Sequence, residues 1–256
     1  MNKKNIVSVI VPSYNRKNTL TRALNSIKRQ TYRPIEVIII DDCSTDRTEE
    51  LLWDYDFKDL RKIIIKNQIN KWIWESRNIG IRNANGHFLT FLDSDDAWIN
   101  INKIQKQVDF LEKNKDYDFV GTSCRVSIDH PMKTELQGVK NDTDCRNISL
   151  SYFFIHIDTW MLRKSLIKKI GYFWKFRCED YEYLLRIGRK TKYGLLNITT
   201  AHYYNETKGD HTLKVIYTWI TRFLIILKYS FYYPFFLRHL FSRILRIIKR
   251  FMDIKF

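Results

Sequence analysis

Short apolar runs that stop abruptly at polar and acidic clusters constrain this chain more than any other feature. Residues 7–11, 37–40 and 63–65 are runs dominated by Val and Ile, and 87–92, richer in Phe and Leu, is expected to be a further strand. Runs this short and this uniformly apolar read as strands buried on both faces, as in a parallel sheet. Between them the period changes. Leu20, Ala23, Leu24 and Ile27 fall at i, i+3, i+4 and i+7, one face of a helix, and 76–84 and 105–111 are expected to be helical too. Strands alternating with helices are the signature of βα units around a mostly parallel sheet flanked by helices. A further strand is expected at 119–126, and an irregular loop or lid at 129–147. Asp46 and Glu49 are spaced as a capping box ahead of Leu51 and Leu52.

In open α/β sheets ligands bind beyond the carboxyl ends of the strands. Here those ends read Pro12-Ser13-Tyr14-Asn15-Arg16, Asp41-Asp42-Cys43-Ser44-Thr45-Asp46 and Asp93-Ser94-Asp95-Asp96. One Asp before a helix is ordinarily a turn or N-cap residue. Acids on several neighbouring strand ends repel one another, and their joint presence points to a bound cation or a hydrogen-bonding ligand. Hard oxygen donors select magnesium or manganese. An EF-hand over 42–50 fails for want of the turn glycine, and no Gly-rich phosphate loop follows any strand. Trp72, Trp74, Trp98 and Trp160 read as packing residues rather than sugar platforms.

The net charge of +16 is concentrated at one end: residues 212–256 carry nine Lys or Arg against the single acid Asp253, half of the total. The longest uncharged run there, between Lys228 and Arg238, contains Pro234 and is too short to span a bilayer. Phe241, Ile244, Leu245, Ile248 and Phe251, interleaved with Arg243, Arg246, Lys249 and Arg250, form the pattern of a basic amphipathic helix lying in an anionic membrane interface. The expected division is a catalytic domain over 1–210 and a basic aromatic helical tail over 211–256. Cys43, Cys124, Cys145 and Cys178 are too dispersed for a zinc motif, and no apolar stretch follows the first lysines as in a signal peptide, so a reducing, cytosolic setting is expected. A nucleic-acid partner would also suit +16, but the strand-end acids would repel its phosphates.

The same strand ends resemble the inverting glycosyltransferases of family 2, which have the GT-A fold. The resemblance rests on Val7 through Asn15, on Ile39-Ile40-Asp41-Asp42-Cys43-Ser44-Thr45-Asp46, on Ser76-Arg77-Asn78-Ile79-Gly80 followed by Ala84-Asn85-Gly86, and on Phe91-Leu92-Asp93-Ser94-Asp95-Asp96. It is close over 6–98, and a weaker match over 159–187 includes Cys178-Glu179-Asp180, similar to the family's Glu-Asp pair opening a helix.

That resemblance implies a role for each matching residue. Pro12, Ser13 and Tyr14 border the nucleotide base and Asp42 accepts from its N–H, while Arg77 reaches toward the nucleotide and the acidic element. Asp93, Ser94 and Asp95 match the Asp-x-Asp element, Asp95 and Asp96 are the metal candidates for Mn2+ or Mg2+, and Asp180 matches the catalytic base. His202 and His211 are both candidates for the family's C-terminal metal-reaching histidine, and Cys43 departs from the usual Gly or Asn. The implied activity is transfer of a sugar from a nucleotide-sugar donor, a UDP-sugar, to a lipid-linked saccharide in bacterial O-antigen or capsule assembly. The expected location is peripheral, on the cytoplasmic face of the inner membrane. Transfer to protein or lipooligosaccharide core, or an inactive membrane-docked subunit, are the alternatives.

Overall fold

The computed structural model describes residues 5–126, 141–150, 155–204 and 212–233. Its first half follows the alternation of periods: β1 (Val7–Ser13), α1 (Leu20–Lys28), β2 (Ile35–Asp41), α2 (Thr48–Asp54), β3 (Arg61–Lys66), α3 (Trp72–Asn83) and β4 (Phe88–Phe91). β1 pairs in parallel with β2 on one side and with β4 on the other, and β3 adds in parallel beyond β2. The chain therefore winds outward from β1 in both directions, which makes the crevice between β1 and β4 a topological switch point, where open sheets bind ligands. Register aligns the ends: Ser13 lies opposite Asp41, and Ile10 opposite Phe91, so the segments after all three strands emerge at one level.

The second half departs from the parallel expectation. After the two-residue β5 (Ala97–Trp98) and α4 (Lys103–Lys113) come β6 (Phe119–Val126), α5 (Asp142–Ser149), β7 (Met161–Arg163), α6 (Ile167–Ile170), α7 (Glu179–Gly188), β8 (Tyr193–Tyr203) and α8 (Thr212–Tyr229). The eight strands of the described residues form one sheet in the order β3-β2-β1-β4-β7-β6-β8-β5. β7 is antiparallel to both β4 and β6, and β5 is antiparallel to β8. The sheet is thus parallel where the βα alternation is legible and mixed where β7, three residues long, offers no period to read.

Side chains alternate across the sheet into two cores. Val7, Val9 and Val11 pack with the α1 face Leu20, Ala23, Leu24 and Ile27, all buried as their spacing predicts. Ile10, Ile38 and Ile40 point to the other side, toward Ile79 and Ile81 of α3 and Leu184 and Leu185 of α7. Gly80 marks the closest approach of helix to sheet: a Cβ there would lie 2.4 Å from Ile10 Cγ2.

Three sequence expectations change. The capping box fails: Arg47 precedes α2 with a left-handed φ of 67°, Asp46 Oδ1 accepts the Thr48 N–H, and Glu49 turns away to Lys66. Part of the expected loop 129–147 is helical, since Asn141 caps α5 by accepting from Asp144 N; 129–140 lie outside the described residues. The opening of the expected tail is bound to the domain, because Ile225, Ile226, Tyr229 and Tyr233 are buried in the α7-side core. Tyr233 Oη donates to Leu185 O at 2.6 Å, and Tyr229 Oη donates to Glu182. Among the described residues no helix is long and apolar enough to cross a membrane. The basic helix expected over 241–251 lies outside them.

Candidate active site

The end of β1 buries Pro12 and Ser13 and leaves Tyr14 exposed at the rim. Asn15 then takes a left-handed turn (φ 53°), and its side-chain oxygen accepts the Thr45 N–H at 2.8 Å, tying the first strand-end loop to the second. Asp41 and Asp42 are both buried. Asp41 Oδ1 accepts from Ser44 N, a structural turn, whereas Asp42 Oδ1 accepts from Asn67 Nδ2 at 2.7 Å and Lys71 N at 2.8 Å. These bonds fix the Asp42 carboxylate at the crevice floor and bring Asn67, at the end of β3, into the site.

Beyond β4 the acidic segment forms a tight turn closed by Asp96 N donating to Asp93 O at 3.0 Å. The turn divides its side chains. Asp95 stays partly exposed, with Oδ2 at 2.9 Å from Arg16 Nη2, and its carbonyl accepts from Arg22. Ser94 and Asp96 are buried, and Asp96 Oδ1 accepts the Tyr204 N–H at 2.8 Å. Of the two metal candidates, Asp95 is thus the partly exposed one and Asp96 the buried one. Asp93 and Asp95 supply hard oxygens at the level of the β1 and β2 ends, a donor set that fits a divalent cation held against a diphosphate.

Arg77 lies below this turn, fully buried on α3. Its Nη2 donates to Asp93 Oδ1 at 2.7 Å and its Nη1 to Glu179 Oε1 at 2.5 Å. Burial works against the guanidinium charge, but Asp93, Glu179 and Asp180 outweigh it and raise Arg77 above the ordinary arginine value. Burial pushes Asp93 up to about 6, with Arg77 pulling the other way, and raises Glu179 to about 7. Asn78 helps place the partner element by exchanging two hydrogen bonds with the Phe173 backbone, 2.8 and 2.9 Å long. The chain then passes through Cys178 in a left-handed conformation (φ 64°) and opens α7 with Glu179 and Asp180. Asp180 is half-buried in the first helical turn, where Oδ1 accepts from Tyr181 N.

The sequence reading missed His156 and Asp158. Both are buried at the 3-10 turn Ile157–Thr159, with His156 Nδ1 3.2 Å from Asp158 Oδ2. Together with Asp96 they place one ligand-type atom each within 4.8 Å of one another. Burial and the Asp158 charge push Asp96 well above the usual carboxylate range, and His156 holds Asp158 below it despite its burial. The legible signal was a His and an Asp inside the otherwise apolar stretch 155–162, where a polar group must find a partner. His202 sits on β8 opposite Ala97 and stacks on Tyr204 at 4.0 Å; burial, Arg125 and Arg22 lower its pKa. His211 lies outside the described residues. Trp98 and Trp160 are buried as expected of packing residues, while Trp72 is 68% exposed beside the crevice.

A solved structure of S. aureus TarS 1-349 in complex with UDP-GlcNAc superposes with a TM-score of 0.74 over 93% of this chain and 72% of that one, at 21% identity. Mannosyltransferase PcManGT from Pyrobaculum calidifontis, in complex with GDP-Man and Mn2+, gives 0.70 over 89% and 64%, at 18% identity. These likenesses establish the GT-A fold. In sequence, the chain is 43% identical over 112 residues to the Escherichia coli UDP-Glc:alpha-D-GlcNAc-diphosphoundecaprenol beta-1,3-glucosyltransferase WfaP, covering 43% of each chain. It is 36% identical over 132 residues to the Bacillus subtilis putative teichuronic acid biosynthesis glycosyltransferase TuaG, covering 51% of this chain and 52% of that one. The chain thus spans about half the length of these relatives, or less. The glycosyl transferase family 2 profile matches residues 8–171, which include the ends of β1, β2 and β4 though not Glu179 and Asp180, and on that match the chain belongs to glycosyl transferase family 2.

Proposed function

We propose that this protein is an inverting, metal-dependent glycosyltransferase that moves a sugar from a UDP-sugar to a hydroxyl of a lipid-linked saccharide in bacterial surface-polysaccharide assembly. The observation that carries this reading is the buried Arg77, which joins Asp93 of the acidic turn to Glu179 beside Asp180. It sets the acids suited to the nucleotide diphosphate and the acid suited to the acceptor on two sides of one fixed cation. Asp42, at the crevice floor, accepts from the base. Asp180 takes the proton of the acceptor hydroxyl as that oxygen attacks the anomeric carbon from the face opposite the leaving diphosphate, a single displacement that inverts the centre. Asp95, with Asp93 beside it, would hold a divalent cation, which when bound would supply electrostatic stabilisation of the diphosphate charge. The diphosphoundecaprenol-linked substrate of WfaP supports a lipid-linked acceptor, and UDP-GlcNAc in TarS supports a UDP-sugar donor.

The reading extends to the cytoplasmic membrane face. α8 keeps Ile220, Leu224 and, just beyond it, Phe231 exposed, and residues 212–233 contain no acid. An apolar outer face in a cationic segment suits a peripheral contact with anionic lipid. Changing Arg243, Arg246, Lys249 and Arg250 together to Gln should release the protein from anionic vesicles; unchanged co-sedimentation would count against it.

The deciding experiment is a thermal-shift panel of UDP-, GDP-, dTDP- and CMP-sugars, with and without Mn2+, on the wild type and Asp95→Ala. A ligand at 100 times its Kd adds about 2.7 kcal/mol, a readable shift. Stabilisation by a UDP-sugar that needs both Mn2+ and Asp95 supports the reading. Metal-dependent binding without turnover on any acceptor would favour the inactive subunit.

A further inference from the structure

Asp158 has no part in the chemistry above, yet it is fully buried and the acidic turn hangs from it at both ends. Its Oδ1 accepts the Asp93 N–H at 2.8 Å, and its main-chain carbonyl accepts Trp98 Nε1 at 2.8 Å. Between these two anchors lie Ser94, Asp95 and Asp96. The 3-10 turn that carries Asp158 is itself clamped from three sides. Gln107 Nε2 of α4 donates to Thr159 O at 2.7 Å, Thr90 Oγ1 of β4 donates to Trp160 O at 2.6 Å, and Thr159 Oγ1 donates back to His156 O at 2.6 Å. His156 Nδ1 stands against the far oxygen of Asp158 at 3.2 Å.

We infer that Asp158, backed by His156, is the positioning residue of the acidic turn, setting where Asp93 and Asp95 stand relative to Arg77 and Asp42. The inference rests on the reading of this crevice as a nucleotide-sugar site. A charged acceptor on the turn's first N–H and a carbonyl under the Trp98 indole tie its two ends to one buried residue, beside the contacts its acids make with Arg16, Arg77 and Tyr204. The geometry requires an oxygen at Oδ1 and a continuous main chain at 158, and Asn at this position retains both.

The test measures amide hydrogen exchange over residues 93–98, together with calorimetric binding of UDP in the presence of Mn2+, in the full chain and in Asp158→Ala, Asp158→Asn and Trp98→Phe. In Asp158→Ala the 93–98 amides should exchange about tenfold faster or more, with those of β2 unchanged, and UDP–Mn2+ binding should weaken by about ten- to a hundredfold. Asp158→Asn should restore protection at Asp93, because its amide oxygen can take the same N–H. Trp98→Phe, which removes only the indole bond, should loosen 97–98 and spare 93; it keeps the test open if the alanine variant fails to fold. Wild-type exchange over 93–98 in Asp158→Ala, or exchange as fast in Asp158→Asn as in Asp158→Ala, overturns the inference. If exchange responds as expected but UDP with Mn2+ binds not even the wild type, the anchoring stands and the nucleotide-sugar reading falls.

Discussion

Arg77 and Glu179 stand 102 residues apart in the chain and 2.5 Å apart in space, at a point where neither side chain can leave. Arg77 is fixed on α3 by burial, Glu179 by the first turn of α7, and Asp93 completes the bridge on the other arm of the guanidinium at 2.7 Å. Removing one member of a buried ionic set costs far more than the set contributes, because the remaining charges are stranded. This makes the bridge a test of the site's architecture as well as of its chemistry.

Arg77→Met should therefore destabilise the protein by about 3–5 kcal/mol at pH 8, leaving Asp93 and Glu179 unpaired. Arg77→Lys should rescue only part, since an ammonium lacks the planar fork that reaches both carboxylates at once. Urea unfolding of the three proteins measures this directly, and a loss below about 1 kcal/mol in the Met variant, the range of an exposed ion pair, would mean the bridge is not what holds α3 to α7.

Asp180→Asn should lower kcat by about 10²- to 10⁴-fold, the usual contribution of a positioned general base, with UDP-sugar affinity nearly unchanged. The two quantities separate the possible roles, one read by turnover and one by calorimetry. If donor binding is lost while residual turnover at saturation persists, Asp180 belongs to the nucleotide subsite and another group takes the proton.

How far the sequence could foretell this site depends on how local each feature is. β1, β2, β3 and α1 were legible because each is an apolar run or a clean helical stripe, and the acids after β2 and β4 were legible because they directly follow such runs. Arg77 and Asp180 were reached only through the family resemblance. What joins them, the Glu179 contact, depends on the left-handed backbone at Cys178 and on the Asn78 bonds to Phe173, long-range facts with no periodicity. Asp96 illustrates the limit. The turn closing onto Asp93 directs it inward to Tyr204 and to the buried His156 and Asp158, and a one-residue difference in facing cannot be read from four acidic and polar letters. Asp158 was passed over for the opposite reason: a single acid in an apolar stretch has no pattern, only an unpaid desolvation cost that hints at a hidden partner.

Gly80→Ala gives a prediction whose sign the local rule gets wrong. Glycine inside a helix ordinarily costs about 1 kcal/mol relative to alanine. Here the added Cβ would sit 2.4 Å from Ile10 Cγ2 and 3.1 Å from Ile40 Cδ1, both on central strands with no room to retreat. Overpacking of this kind costs about 1–3 kcal/mol, so the substitution should destabilise on balance. Thermal unfolding decides it, and a raised Tm would show that α3 can move off the sheet.

The pH dependence of stability should carry the signature of Glu179. Burial raises its carboxyl from 4.5 to about 7, with Arg77 opposing and Asp180 adding to the shift. An acid whose pKa is higher in the folded protein binds its proton more tightly there than in the unfolded chain. Its contribution to stability is then fully present below the unfolded value near 4.5 and is lost as pH rises through about 7. Glu179→Gln removes this titration while keeping an amide oxygen to accept from Arg77. Urea midpoints taken at pH 5 and pH 8 should therefore fall further in the wild type than in the variant. Parallel losses in the two proteins would mean that Arg77 holds Glu179 ionised across the whole range, and that the ion pair outweighs the desolvation at this bridge.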